Sequence, residues 1–244
     1  MSLLPFHNAS SALRFTDRHE AGEQLAQAVL QEVTQLEPTA KFVVYALPKG
    51  GLPIAQPVAQ RLGCPLDVIV AKKITRPDNP ELAIGAVTSD GYVVWDSQRQ
   101  RSAAVSNHSN TLKNRQETIG ALTPANQDDV ALQEAHAHAH AQLEELSPNS
   151  PRFSAQGAIA LLVDDGIATG MTMAAAIEAV RAQQPAQLWI CAPVAPAELM
   201  PFLHTYGDRV IILATPHPFY SVSRFYKAFP QVTMAEAAAY LQGT

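Results

Sequence analysis

The sequence has few cysteines, no cluster of basic residues and no long apolar run, and each absence excludes a class of protein. Its two cysteines, Cys64 and Cys191, show neither zinc-site spacing nor a disulfide framework, so we expect buried free thiols. With 17 basic and 22 acidic residues, the chain lacks the basic stripe of a general nucleic-acid binder. No apolar run approaches the roughly 20 residues that a membrane helix needs.

The first residues and the composition predict a cytoplasmic protein with a sizeable core. Residues 1–11 lack a basic segment followed by an apolar run, so no signal peptide is predicted. Hydrophobic residues make up 47% of the 244 residues, and this length suits one domain over 1–244. The stretch 97–151 is polar with few large apolar residues, and we interpret it as an insertion or cover segment. We expect no nucleic-acid and no membrane partner.

Short apolar, β-branched runs alternate with helical patterns along the chain. We predict strands at 42–47, 66–71, 158–163, 188–194 and 210–214, and helices at 17–31, 53–62, 127–146, 172–183 and 196–206. Strands that alternate with helices indicate an α/β fold with a doubly wound parallel sheet.

Three segments with unusual chemistry follow predicted strands: 48–51, 72–82 and 164–172. The middle one contains prolines and Asn79, so we predict a loop there, followed by a hairpin over 84–95. Ligands of open parallel sheets bind beyond the carboxyl ends of the strands. We therefore expect the three segments to converge on one site.

The segment 164–172 combines two acids with a phosphate-binding pattern. A predicted buried strand leads into Asp164 and Asp165, and small and hydroxyl residues then open a helix, whose N-terminal amides favour an anion. The lysine of the nucleotide P-loop and the Gly-x-Gly-x-x-Gly pattern are both absent. Two carboxylates beside an anion-binding site would repel a phosphate. They are compatible with a ligand that carries neutral hydroxyls next to its phosphate, as ribose 5-phosphate does, because the carboxylates can accept hydrogen bonds from those hydroxyls.

The run LLVDDGIATGMT at 161–172 resembles the signature of type I phosphoribosyltransferases. The resemblance implies that Asp164 and Asp165 hold the ribose 2- and 3-hydroxyls of 5-phosphoribosyl-1-pyrophosphate (PRPP). The residues implied at the 5-phosphate and in its loop are Gly166, Ala168, Thr169, Gly170, Met171 and Thr172. Hypoxanthine-guanine transferases carry a third aspartate where this chain has Ala168, which disfavours their mechanism here.

Two further segments resemble the same family. The run LPKGGLPIA at 47–55 resembles its pyrophosphate loop, which in many relatives contains a cis peptide; this implies Lys49 and Gly50 at the pyrophosphate. The run AKKITRPDNPELAIGAV at 71–87 resembles a bacterial branch of predicted phosphoribosyltransferases of unassigned substrate. It implies that Lys73 contacts pyrophosphate, that Arg76 joins it on loop closure, and that Glu81 orders the loop or meets the acceptor. For Lys72, a solvated surface lysine is an equal alternative.

The resemblance implies transfer of phosphoribosyl to a nitrogen acceptor, a base or an amine. Mg²⁺ would be held mainly by PRPP oxygens and waters, with Asp164 and Asp165 as candidate protein ligands. A PRPP-binding sensor without turnover is the alternative, although the lysines and Glu81 favour an enzyme. We also expect a homodimer.

Two weaker features carry no assignment. His136 and His140 share a helical face, with His138 between them, but no third metal ligand is evident, so a solvated helix is the better interpretation. The aromatic residues near the C-terminus could stack on an acceptor, fill the core or form a dimer contact; they are Phe219, Tyr220, Phe225, Tyr226 and Phe229.

Overall fold

The computed structural model describes residues 15–36, 39–96, 124–148 and 152–242. Its strands are β1 Phe42–Ala46, β2 Leu66–Val68, β3 Ala71–Arg76, β4 Asn79–Thr88, β5 Val93–Trp95, β6 Ile159–Val163, β7 Gln187–Val194 and β8 Arg209–Ala214. Its α-helices are α1 Arg18–Leu36, α2 Leu52–Leu62, α3 Pro124–Leu146, α4 Met171–Arg181, α5 Met200–Tyr206 and α6 Met234–Gln242. Short 3-10 helices span Ala197–Leu199 and Val222–Phe225.

Five parallel strands form the central sheet in the order β2-β1-β6-β7-β8. Ala46 at the end of β1 pairs with Val163 at the end of β6, and Val163 pairs with Cys191 of β7. The strands therefore end at one edge, and the segments that follow them meet there. This confirms the predicted α/β fold with a parallel sheet.

Helices cover both faces of the sheet. Successive strand residues point to opposite sides, so each strand packs against the helices of both faces. In β1, Val44 and Ala46 pack into the core that contains α1 and α2, whereas Val43 and Tyr45 pack into the core that contains α4. The strands consequently read as continuous apolar runs, as strands buried on both faces do.

The predicted loop at 72–82 is largely an antiparallel hairpin. β3 pairs with β4, and β4 with β5, in a second sheet beside the first. Ile74 is fully buried against Val87 and two alanines of α3, and this packing overrides the loop-forming composition. The register of β3 against β4 shifts between Ile74 and Arg76, just before Pro77.

The hairpin over β4 and β5 and the helix in the polar stretch are confirmed. Gly91, with φ of +86°, turns the chain between β4 and β5. α3 covers the predicted helix, and the stretch 97–151 otherwise lies outside the described residues, apart from 147–148. Among the helices that the structure describes, none combines the length and apolar character needed to cross a membrane. Both cysteines are free, Cys191 buried and Cys64 partly so.

Candidate functional site

Residues 48–51 and 164–172 lie side by side at the carboxyl edge of the sheet. The Leu47 N–H donates to the Val163 carbonyl at 2.9 Å, which joins the ends of β1 and β6. A Cβ atom on Gly51 would lie 2.5 Å from the Leu47 carbonyl oxygen and 2.7 Å from that of Val163. Only glycine fits at this junction, because a side chain there would displace backbone.

The turn at 48–51 carries the cis peptide that the resemblance implies, between Pro48 and Lys49. Gly50 follows it and lies directly against Asp165: a Cβ atom on Gly50 would be 2.0 Å from the Asp165 Oδ2. The backbone of the turn therefore packs directly against the Asp165 carboxylate.

The segment 164–172 presents an open helix start. Gly170 has φ of +74° and precedes α4, and as a glycine it offers no capping side chain. The Thr169 Oγ1 accepts one long hydrogen bond, from the Met171 N–H at 3.5 Å. Ala168 and Thr169 are exposed beside it. Backbone amides at the start of an 11-residue helix, together with the helix dipole, suit a phosphate group.

The two acids have different surroundings. Asp164 accepts a hydrogen bond on Oδ1 from the Asp165 N–H at 2.8 Å. Burial and the neighbouring Asp165 charge raise the pKa of Asp164 well above its usual range. Burial also raises the pKa of Asp165, but the Arg18 guanidinium beside it works in the opposite direction. Both carboxyl groups therefore take up protons at a higher pH than exposed aspartates do.

Arg18 was not singled out from the sequence. Its Nε donates to Asp165 Oδ2 at 2.7 Å, and its Nη1 donates to the Pro230 carbonyl at 2.6 Å. Its guanidinium also lies 3.6 Å from the centroid of the Phe229 ring. The sequence does contain an indication of its role. Arg18 falls at helical spacing from the buried Ala21 and Leu25, and an arginine on a buried helix face needs a partner.

The segment 222–230 supports the same acid from the other side. The Tyr226 hydroxyl donates to the Asp165 carbonyl at 2.6 Å, and Phe225 stacks on Phe219. Phe225 and Tyr226 are buried, so core packing is the role of these two aromatics. Tyr220 is 69% exposed, with the Arg224 guanidinium 4.8 Å from its ring centroid.

The predicted cationic residues fall into three situations. Lys72 is half-buried, and burial, together with the positive charge of Lys49, lowers the pKa of Lys72. Lys73 is exposed on the same strand. Arg76 binds Asp128 of α3 through Nε at 2.5 Å and Nη2 at 3.0 Å. The side chain of Glu81 lies outside the described residues, and its backbone belongs to β4.

His136 and His140 of α3 each have a described partner. His136 Nε2 lies 3.0 Å from the Ser89 carbonyl, and His140 pairs with Glu144 at 3.6 Å. In the ranges that the structure describes, no three His, Cys, Asp or Glu side chains are grouped to hold a metal ion. A separate cavity of about 600 Å³ is lined by Tyr45, Arg152 and Gln183 among others, and none of the predicted site residues lines it.

Comparison with known proteins gives a consistent result. The family model described as the phosphoribosyl transferase domain matches residues 15–211. Proteins of two Mycobacterium tuberculosis strains, CDC 1551 and H37Rv, are 34% identical over 227 residues, and their names assign them provisionally to the phosphoribosyl transferases. The match covers 93% of this chain and 46% of theirs, so the chain spans about half the length of these curated relatives. The crystal structure of a protein from Thermus thermophilus is 30% identical, with a TM-score of 0.69, and the match covers 94% of this chain and 98% of that one.

Proposed function

Because the chain belongs to the phosphoribosyl transferase domain family, we propose that it transfers 5-phosphoribosyl from PRPP to a nitrogen acceptor and releases pyrophosphate. One observation carries this proposal: the contact between the Gly50 turn and Asp165 joins an anion-binding turn to a twin-acid loop that ends in an open helix start. PRPP carries a diol between a pyrophosphate and a phosphate, and these three groups match the turn, the twin acids and the helix start, in that order. The acceptor is a base or an amine.

The 5-phosphate lies at residues 166–172 and accepts hydrogen bonds from backbone amides at the start of α4. The side chains of Thr169 and Thr172 supply hydroxyl donors to the same group. The ribose diol lies at the twin acids, Asp164 and Asp165, and hydrogen bonds to charged groups contribute roughly 1.5–3 kcal/mol each. The pyrophosphate lies at the Gly50 turn, with Lys49 as a positive charge.

Bond cleavage at C1 leaves a sugar with oxocarbenium character and gathers negative charge on pyrophosphate. Positive groups that are in place before this charge develops stabilise the transition state, and this is usually the largest contribution to catalysis. We assign this stabilising role to Lys49 and Lys72. Lys73 and Arg76 of the hairpin are further candidates for it. Glu81 is the candidate for ordering the hairpin or meeting the acceptor. Mg²⁺ would neutralise charge on the pyrophosphate; Asp164 would offer it a hard oxygen ligand, whereas Asp165 is paired with Arg18.

The proposal is tested by supplying PRPP and Mg²⁺ with a panel of purine, pyrimidine and amine acceptors and measuring pyrophosphate release. We expect acceptor-dependent release with the wild-type chain and little release with Asp164→Asn. PRPP binding in calorimetry without release for any acceptor would favour the sensor alternative. A chain that binds no PRPP would contradict both.

Lys72 provides a second prediction, because the structure distinguishes it from Lys73. We expect Lys72→Met to weaken PRPP affinity by about 10- to 100-fold, as the loss of one charge-assisted contact does. Lys73→Met is the matched control: it removes an exposed lysine from the adjacent position of the same strand and should have the smaller effect. Calorimetry at one salt concentration makes the comparison, and a larger loss for Lys73→Met would return the pyrophosphate contact to Lys73.

A further inference from the structure

We propose that Arg18 is a positioning residue of the sugar site: it holds the Asp165 carboxylate, so that Asp164 is the acid that accepts hydrogen bonds from the sugar hydroxyls. This inference rests on the proposed function, because it divides the work of two acids within that one site. The sequence pattern assigns the same role to both neighbouring aspartates, but their contacts in the structure differ.

Asp165 is already engaged on several sides. Its Oδ2 accepts the Arg18 Nε–H at 2.7 Å and also faces Gly50, and its carbonyl accepts the Tyr226 hydroxyl. Its side chain is 15% exposed. Asp164 receives one side-chain hydrogen bond within the described part of the chain, on Oδ1 from its neighbour's backbone N–H. Each carboxylate accepts one described hydrogen bond, but Asp165 accepts it from a cation and Asp164 from a backbone amide. Among the described residues, Asp164 is therefore the acid of the pair whose charge has no ion-pair partner, and it is the acceptor available to the sugar.

The position of Arg18 is itself fixed by the main chain. The Phe15 N–H donates to the Phe225 carbonyl at 2.8 Å, and the Lys227 N–H donates to the Phe15 carbonyl at 2.8 Å. These bonds tie the residues before α1 to the segment 222–230. Asp17 Oδ1 accepts the Glu20 N–H at 2.9 Å and so defines where the helix begins. Arg18 is 9% exposed and bridges a carboxylate, a carbonyl and an aromatic face, a combination suited to guanidinium.

A double-mutant cycle on PRPP affinity tests whether Arg18 acts through Asp165. We expect Arg18→Gln and Asp165→Asn each to weaken binding about 10-fold or more, because each leaves a buried charge without its partner. The double variant should bind no more weakly than the weaker single variant, since both changes break the same contact. Single-variant factors that multiply in the double variant would overturn the proposal. Failure of the wild-type chain to bind PRPP would instead overturn the proposed function.

If Arg18→Gln alone unfolds, the comparison of the double variant with Asp165→Asn still tests the proposal. The double variant contains no unpaired buried charge at this contact, so it is compared with Asp165→Asn, both as folded proteins. Removing Arg18 should then change PRPP affinity by no more than about 2-fold, which is the usual error of such comparisons. A further 10-fold loss would mean that Arg18 acts on the ligand by another route.

Arg18→Lys is the conservative control for the cycle. It keeps a positive charge beside Asp165 but cannot reproduce the planar, three-way contact, so its PRPP affinity should lie between those of the wild type and Arg18→Gln. Equal PRPP affinities for Arg18→Lys and Arg18→Gln would overturn the proposal.

Discussion

Replacement of Gly50 by alanine is expected to weaken PRPP binding at least about 100-fold, a loss of roughly 2.7 kcal/mol. The new Cβ atom would lie 2.0 Å from Oδ2 and 2.6 Å from Cγ of Asp165, so the carboxylate has to move. Any such movement also strains the 2.7 Å contact between Asp165 and Arg18. One methyl group would therefore disturb the pyrophosphate turn and the sugar loop together, and calorimetry with PRPP and Mg²⁺ measures the result.

Gly157→Ala is the matched control for this substitution. Gly157 has φ of +66° and nothing within 4 Å of a Cβ atom, and it lies before β6, at the opposite end of that strand from the twin acids. Alanine there should lower the free energy of unfolding by about 1 kcal/mol through backbone strain and leave PRPP affinity unchanged. Equal PRPP affinities for Gly50→Ala and the wild type would show that the Gly50 contact does not shape the ligand site.

Hydrophobic periodicity was sufficient to predict the central sheet. Four of the five strands are almost fully buried, whereas β8 at the edge of the sheet is partly exposed. Apart from β2, which contains Asp67, each appears in the sequence as a largely apolar run followed by a turn. The convergence of 48–51 with 164–172 then followed from the rule that parallel strands end at one edge, and Ala46 does pair with Val163.

The hairpin of β3 and β4 could not be predicted because its stability comes from a distant helix. Its prolines and Asn79 are typical of a loop, and only the burial of Ile74 against α3 makes the segment a strand. Without a predicted strand there was no reason to separate Lys72 from Lys73, since it is strand geometry that points these two neighbours to opposite faces. The choice of Lys73 for the pyrophosphate stays a prediction.

Arg18 shows a second limit of sequence reasoning. Its partners Asp165 and Pro230 lie 147 and 212 residues away along the chain. Helical spacing could place Arg18 on a buried face, but no local pattern states which carboxylate it would meet there. The pairing arises because 222–230 returns the chain beside the start of α1, through the bonds between Phe15 and its partners in that segment.

The twin acids lead to the second large prediction, in which adjacent isosteric changes have opposite effects on stability. Asp165→Asn should lower the free energy of unfolding by about 3–5 kcal/mol, because it leaves the buried Arg18 cation without its carboxylate. Asp164→Asn should raise it by on the order of 1 kcal/mol at neutral pH, because it removes a charge that burial and Asp165 disfavour. Denaturant unfolding of the ligand-free chains measures both values.

The stabilisation by Asp164→Asn depends on pH in a defined sense. The pKa of Asp164 is raised in the folded chain above its unfolded value of about 3.9, so the unfolded chain ionises first as the pH rises. The folded state is therefore penalised increasingly above that value, and fully so above the folded pKa. The gain from asparagine should vanish near pH 4 and grow towards neutrality; a gain that is constant over this range would contradict the assignment.

The same Asp164→Asn variant should bind PRPP about 10- to 100-fold more weakly, since an amide replaces a charged acceptor of the sugar hydroxyls. Greater stability combined with weaker binding is expected of a residue that is retained for its ligand rather than for the fold. Misfolding cannot produce that combination, so it isolates the contact with the sugar. Wild-type PRPP affinity in a stabilised Asp164→Asn chain would exclude Asp164 as the acceptor of the diol.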